Sequence, residues 1–268
     1  MTRAFTWAAV LRLVACEAAP AAPETPDLSP VDAVPAIAAA VELPPAPPTP
    51  APVEEPVTPR PPPDGFVDLA LIVPDVCIYG GYYREDNFTG ARLPGYGAPG
   101  GWMLAAPADG LVRVAGELKK AGYVLVIFDA YRPYRGTRAM VAWAERTGQQ
   151  ALLDNGYIAR RSGHNHGHTV DLGLAEPGTC ALVDMGTPFD TLDERSHTTN
   201  AEGEVLARRT VLKEAMQRQG FQSYWKEWWH FQYKMEGTKA RDVPYGREEP
   251  DEGAWVEPEG WDLPGWAP

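Results

Sequence analysis

The chain has 268 residues, 44% of them hydrophobic, and a formal net charge of -12, with 36 Asp and Glu against 24 Lys and Arg. That length holds one sizeable domain or two small ones. The excess negative charge excludes partners it would repel at long range, namely nucleic acid and anionic membrane surfaces. Small or zwitterionic ligands are untouched by this exclusion.

Residues 1–16 read as an export leader. Arg3 precedes an apolar run from Ala4 to Val10, and Leu13-Val14-Ala15-Cys16 follows. The tetrapeptide resembles a bacterial lipobox, in which the chain is cut before a cysteine that then carries lipid. The expected location is therefore exported and periplasmic, with a lipid on Cys16 as the sole link to a membrane; without a working leader the protein stays cytoplasmic. No later stretch approaches the ~20 apolar residues that a spanning helix needs.

More than half of the 28 prolines fall between Pro20 and Pro63. Residues 17–63 therefore form a Pro/Ala-rich spacer outside any packed core, reaching roughly 140 Å if fully extended at ~3.1 Å per residue. The remaining residues 64–242 are enough for one domain with a sizeable core. Residues 243–268 make an acidic tail rich in Trp, Pro and Gly, with Trp255, Trp261 and Trp266. Apart from Cys16, the cysteines are Cys77 and Cys180, a pair that reads as a disulfide in an exported protein or as two buried thiols.

Within the domain, Leu111, Val114, Ala115 and Leu118 are spaced for a helix over residues 109–121, which Gly122 ends. Residues 123–128, Tyr-Val-Leu-Val-Ile-Phe, read as a buried strand that delivers Asp129-Ala130-Tyr131-Arg132-Pro133. A helix over 137–147, an alternating strand over 169–174 and a helix over 202–219 closed by Gly220 complete the pattern. Strands and helices do not alternate strictly enough for a doubly wound sheet. The fold class is α+β, a single domain with helices packed around a mixed or antiparallel sheet.

Two segments carry the chemistry. Ser162-Gly-His164-Asn-His166-Gly167-His168-Thr-Val-Asp171 and Glu227-Trp228-Trp229-His230 together offer two imidazoles and a carboxylate as metal ligands, with a second carboxylate free to act as a base. A catalytic zinc takes three such protein ligands and keeps one position for water. Gly163 and Gly167 allow a loop to turn His164 back over the strand that presents Asp171. By spacing alone, His164, His166 and His168 all qualify. Glu227 and His230, three residues apart, share a face only through a bend, a bulge or a helical turn. Trp225, Trp228, Trp229 and Phe231 form an aromatic stripe expected to pack into the core and shield the site.

Ser162-x-His164-x-x-Gly167-x-x-x-Asp171 followed by Glu227-Trp228-Trp229-His230 resembles the D-alanyl-D-alanine dipeptidases of the vancomycin-resistance type, zinc D,D-peptidases of family M15. Tyr82-x-x-x-Asp86-Asn87-Phe88-Thr89-Gly90, Asp129-x-Tyr131-Arg132-Pro133, Met185-Gly186-x-x-Phe189-Asp190 and Asp193-Glu194-Arg195-Ser196-His197 extend the resemblance in the same order over roughly residues 67–233. It implies a zinc D,D-peptidase (hedgehog-like) architecture and one Zn2+ per chain on His164, Asp171 and His230, leaving His166 and His168 at variable positions. It further implies Glu227 as general base and acid, Arg132 as the oxyanion-stabilising group, and Asp190 as the anchor of a substrate ammonium. Tyr82 and Ser162 fall near the substrate, and Asp129 is placed with them as a substrate-side residue. The implied activity is hydrolysis of the small dipeptide D-alanyl-D-alanine in cell-wall peptide turnover or recycling. The alternatives are a D,D- or L,D-carboxypeptidase trimming longer wall peptides, and a noncatalytic wall-binding lipoprotein. The leader, spacer and tail depart from the family's soluble members.

Overall fold

The computed structural model describes residues 60–246. The lipobox at Cys16, the spacer up to residue 59 and the tail from residue 247, with its three tryptophans, lie outside the described residues.

The elements run β1 (Phe66–Asp68), α1 (Leu69–Ile72), β2 (Cys77–Ile78), β3 (Trp102–Leu104), α2 (Ala105–Lys120), β4 (Val124–Asp129), α3 (Tyr134–Arg146), α4 (Gln150–Asp154), β5 (Thr169–Ala175), α5 (Gly203–Arg218), β6 (Phe221–Ser223) and β7 (His230–Tyr233). Five strands form one sheet in the order β2-β4-β5-β7-β6. The β2–β4 pair is parallel and the other pairs are antiparallel, so the sheet is mixed and the expected α+β class holds. A separate antiparallel pair joins β1 to β3. Among the described residues no helix is long and apolar enough to cross a membrane.

Every residue of β4 and β5 is buried, as the continuous apolar run of β4 predicts. Helix α2 lays Leu111, Val114, Ala115 and Leu118 against these strands, sharing a core with Leu212, Ala215 and Met216 of α5. It begins four residues earlier than its apolar spacing suggests. Pro107 falls in its first turn, where the missing N–H has no intrahelical partner to lose. Its end is as expected: Gly122 adopts φ +85° and donates its N–H to the Lys119 carbonyl at 3.1 Å. Helix α3 starts directly after Pro133, and its Met140, Val141 and Ala144 meet a second core of Phe66, Tyr82, Tyr96, Trp102, Tyr131 and Tyr245.

Packing continues past residue 242. Tyr245 is 1% exposed, and its hydroxyl accepts from the Trp102 N–H at 3.1 Å and donates to the Tyr131 carbonyl at 2.8 Å. The Val243 N–H donates to the Tyr131 hydroxyl at 2.8 Å, and the Tyr134 N–H to the Arg241 carbonyl at 3.0 Å. Residues 241–246 thus form a strap across the loop that joins β4 to α3. Cys77 and Cys180 are joined in a disulfide with Cα atoms 5.9 Å apart.

Candidate metal centre

A row of ionisable side chains crosses the sheet. Asp171 of β5 has Asp129 of β4 as its Cα partner on one side and His230 of β7 on the other. The alignment with Asp129 depends on a register shift in β4 between Ile127 and Asp129, which gives Phe128 the extra place and sets Asp129 opposite Asp171.

His164 reaches this row from a 3-10 turn, Gly163–His166. The Ser162 hydroxyl caps the turn by accepting the His164 N–H at 3.3 Å, and Gly167 closes it at φ +77°. A Cβ at Gly167 would stand 2.1 Å from the Phe66 ring, and one at Gly163 would stand 2.2 Å from the Thr169 hydroxyl. Both positions therefore require glycine for the turn to lie this close over β1 and β5. The His164 Nδ1–H donates to the Ala130 carbonyl at 2.6 Å, which leaves Nε2 as the free lone pair.

That lone pair faces the other two ligand atoms. His164 Nε2 lies 3.3 Å from Asp171 Oδ2 and 3.4 Å from His230 Nδ1, and His230 Nδ1 lies 2.9 Å from Asp171 Oδ1. Bonds of about 2.0–2.1 Å at tetrahedral angles put neighbouring ligand atoms roughly 3.3 Å apart, so the donor set fits zinc in both chemistry and size. His164, Asp171 and His230 are the one such group among the described residues. Burial pushes the Asp171 carboxyl up, but His164 and His230 outweigh it and hold the group well below the usual carboxylate range. His166 and His168 lie outside the group: His166 Nδ1 meets the Thr238 hydroxyl at 3.0 Å, and His168 is buried beside His166 with ring centroids 5.6 Å apart.

Glu227 stands in the turn between β6 and β7. Its N–H donates to the Tyr224 carbonyl and its carbonyl accepts the His230 N–H, each at 3.3 Å. This is the bend that residues three apart required, and it brings Glu227 Oε2 to 3.7 Å from His230 Nδ1. Burial, reinforced by the Asp171 charge, pushes the Glu227 carboxyl well above its ordinary value.

Arg132 also reaches the ligand group. Its N–H donates to the His164 carbonyl at 3.1 Å, and its guanidinium lies 5.0 Å from the centre of the Tyr82 ring with Nη2 3.7 Å from Asp171 Oδ2. Arg132, Glu227, Tyr82, Ser162 and Asp190 all line one cavity of about 300 Å³ that opens onto the three ligand atoms. Asp190 is half-buried as a residue, held at φ +61°, and its Oδ1 accepts from the Tyr82 hydroxyl at 3.1 Å. Its Oδ2 is buried with no hydrogen-bond partner. Burial first, then Asp171, push this carboxyl well above its ordinary value.

Two expectations are corrected. Asp129 does not line the cavity: it is 3% exposed, and both oxygens are engaged, Oδ1 by the Tyr96 hydroxyl at 2.6 Å and Oδ2 by Arg132 Nε at 2.9 Å. The shift in β4 turns it behind Arg132, so it supports the arginine and does not face a substrate. Trp225 is not part of the core stripe. It is 61% exposed, edge-on to His197, because the turn holding Glu227 swings it outward while Trp228, Trp229 and Phe231 stay buried. Sequence reasoning also missed Tyr157, Tyr224 and Met140 on the cavity wall, and Tyr96 behind it. Met140 carries only the helical spacing of a packed face, and the tyrosines carry no periodic or spacing signal.

The family model described as D-ala-D-ala dipeptidase matches residues 63–246. The chain belongs to the D-alanyl-D-alanine dipeptidase family. It is 33% identical over 202 residues to a D-alanyl-D-alanine dipeptidase of Enterococcus faecalis, covering 68% of this chain and 94% of the relative. It is 34% identical over 170 residues to one from Streptomyces coelicolor, covering 58% and 84%, and 34% identical over 169 residues to one from Escherichia coli, covering 62% and 83%. The family match spans every residue that lines the cavity and the strap through Tyr245, and it leaves out residues 1–62 and 247–268.

Proposed function

We propose that this member of the dipeptidase family hydrolyses free D-alanyl-D-alanine with one zinc held by His164, Asp171 and His230, in cell-wall peptide turnover. The observation that carries the reading is that Asp190, one of whose oxygens is buried without a partner, lines the same cavity as the ligand atoms and Glu227. Zinc in this position supplies Lewis acidity toward a peptide carbonyl and makes a nearby water easier to deprotonate.

The chain's own groups do the rest. Glu227, 3.7 Å from His230 Nδ1, takes the proton from the attacking water and returns it to the departing amine. Arg132, with Nε tied to Asp129, turns its terminal nitrogens toward the cavity and donates to the oxygen that gains charge as the carbonyl becomes tetrahedral. Asp190 receives the substrate's ammonium, and the Tyr82 hydroxyl holds one of its oxygens. Ser162 presents its hydroxyl at the cavity wall for the substrate backbone. A cavity of about 300 Å³ is at the small end for ligand sites and suits a dipeptide.

The deciding assay compares D-alanine release from D-alanyl-D-alanine and from a wall pentapeptide, with and without chelator. Release from the dipeptide that the chelator abolishes is expected. Trimming of the pentapeptide with no turnover of the dipeptide would shift the assignment to a carboxypeptidase.

For its location we propose export, with lipid attachment at Cys16. The Cys77–Cys180 bridge supports it, because disulfides persist in oxidising compartments. Labelled fatty acid should enter the full-length protein and not a Cys16→Ser variant; no label in either would remove the anchor.

A further inference from the structure

Behind the cavity wall, Tyr96 touches the group that aims Arg132. We propose that Tyr96, backed by the strap residue Tyr245, is a positioning residue that fixes the plane of the Asp129 carboxylate and through it the direction of the Arg132 guanidinium. The proposal rests on the assignment of Arg132 as the group that stabilises the oxyanion.

The contacts form one chain. The Tyr96 hydroxyl donates to Asp129 Oδ1 at 2.6 Å, while Asp129 Oδ2 accepts from Arg132 Nε at 2.9 Å and lies 3.4 Å from His164 Nδ1. A carboxylate held at only one oxygen can rotate about its Cβ–Cγ bond and carry its partner along. With the phenol on the other oxygen that rotation is stopped. Because Nε is the bound nitrogen, the plane of Asp129 helps to set where the terminal nitrogens point, together with the Nη1 bond to Met140 Sδ at 3.3 Å, and Nη2 comes to 3.7 Å from Asp171. Buried sites make such a tether strong, since little water is present to replace it.

Tyr96 is itself immobilised. It is 2% exposed, stacked on Tyr245 at 5.6 Å between centroids and edge-on to Tyr82 at 5.7 Å. A Cβ added at Gly136 of α3 would come within 3.3 Å of its ring. Tyr245 reaches both loops at once: its N–H donates to the Gly95 carbonyl at 2.8 Å beside Tyr96, and its hydroxyl donates to the Tyr131 carbonyl beside Arg132. The strap therefore clamps the loop that supplies the phenol to the loop that supplies the guanidinium. Neither tyrosine lines the cavity, so any effect they have on turnover must pass through another group.

The test is a double-substitution cycle on zinc-loaded full-length protein with D-alanyl-D-alanine. Tyr96→Phe removes only the hydroxyl, and kcat should fall roughly tenfold with KM within about twofold and zinc content unchanged, the effect of losing one hydrogen bond to a charged group. In an Arg132→Ala background the same change should cost less than about twofold. Tyr245→Phe should give a smaller kcat loss that also vanishes in that background, and serves if Tyr96→Phe folds poorly. An unchanged kcat in both tyrosine variants overturns the proposal, as does an equal loss with and without Arg132. A second readout is independent of activity. The Arg132 Nε–H resonance, protected by Asp129 in the parent, should exchange faster with solvent in Tyr96→Phe, and equal exchange rates also overturn the proposal. Faster exchange in a protein that releases no D-alanine would keep the positioning role and discard the assigned activity.

Discussion

Replacing Asp190 with Asn tests the ammonium anchor most sharply. Asp190 lines the cavity, one oxygen is satisfied by Tyr82 and the other is buried with no partner, so a substrate ammonium would complete it. Removing one member of a buried charge pair costs about 3–5 kcal/mol, which at 1.36 kcal/mol per factor of ten is a loss of roughly 150- to 5,000-fold in kcat/KM. Because the residue as a whole is only half-buried, residual solvent screening places the expected loss near the lower end. The contact is made before and during reaction alike, so most of the loss should be in KM. The assay is steady-state release of D-alanine, run beside N-acetyl-D-alanyl-D-alanine, whose capped amine carries no charge. The parent should handle the capped dipeptide about as poorly as Asp190→Asn handles the free one. Parent activity that ignores the acetyl group, or a variant within about fivefold of the parent on the free dipeptide, would refute the assignment. The same substitution should act oppositely on the zinc-stripped fold. A carboxyl whose folded-state proton affinity is raised contributes stability at low pH that is lost as pH climbs, beginning near the unfolded value of about 3.9. Asp190→Asn should therefore melt with the parent below about pH 4 and above it at neutral pH, by calorimetry.

Glu227→Gln should lower kcat by about 10²–10⁴ while retaining one zinc by metal analysis, and loss of the metal would make Glu227 a ligand instead of the base. His164→Ala should abolish zinc binding in a calorimetric titration and His166→Ala should not, since only the first points into the ligand group; equal losses would undo the assignment. Reducing the Cys77–Cys180 bridge, which spans 103 residues, should destabilise the domain by about 4.7 kcal/mol in the chain-entropy account, a fall of roughly 10–20 °C in Tm. Activity at low temperature should persist because neither cysteine lines the cavity; an unchanged Tm would mean the bridge closes no loop that matters.

The buried run of β4, the alternation in β5 and the glycine that ends α2 were legible because each is a local pattern with one dominant cause. The ligand group was legible for a different reason. Glycines at 163 and 167 and a short segment between Glu227 and His230 leave few ways to bring these groups together, and the family resemblance chose His164 among three histidines. Asp129 and Trp225 were misplaced because their directions depend on a one-residue shift in β4 and on the path of the turn after β6, neither of which leaves a trace in composition or period. Tyr96 and Tyr245 were invisible because they sit 149 residues apart on loops and meet only through tertiary packing.

The pairing of Asp171 with His230 across β5 and β7 has one more effect. Side chains alternate between the two sides of a strand, so sliding β7 by a single position would point His230 away from Asp171 and leave the triad one member short. The cation therefore proofreads assembly: only molecules with the correct strand alignment can capture it, and each one that does is locked against slippage.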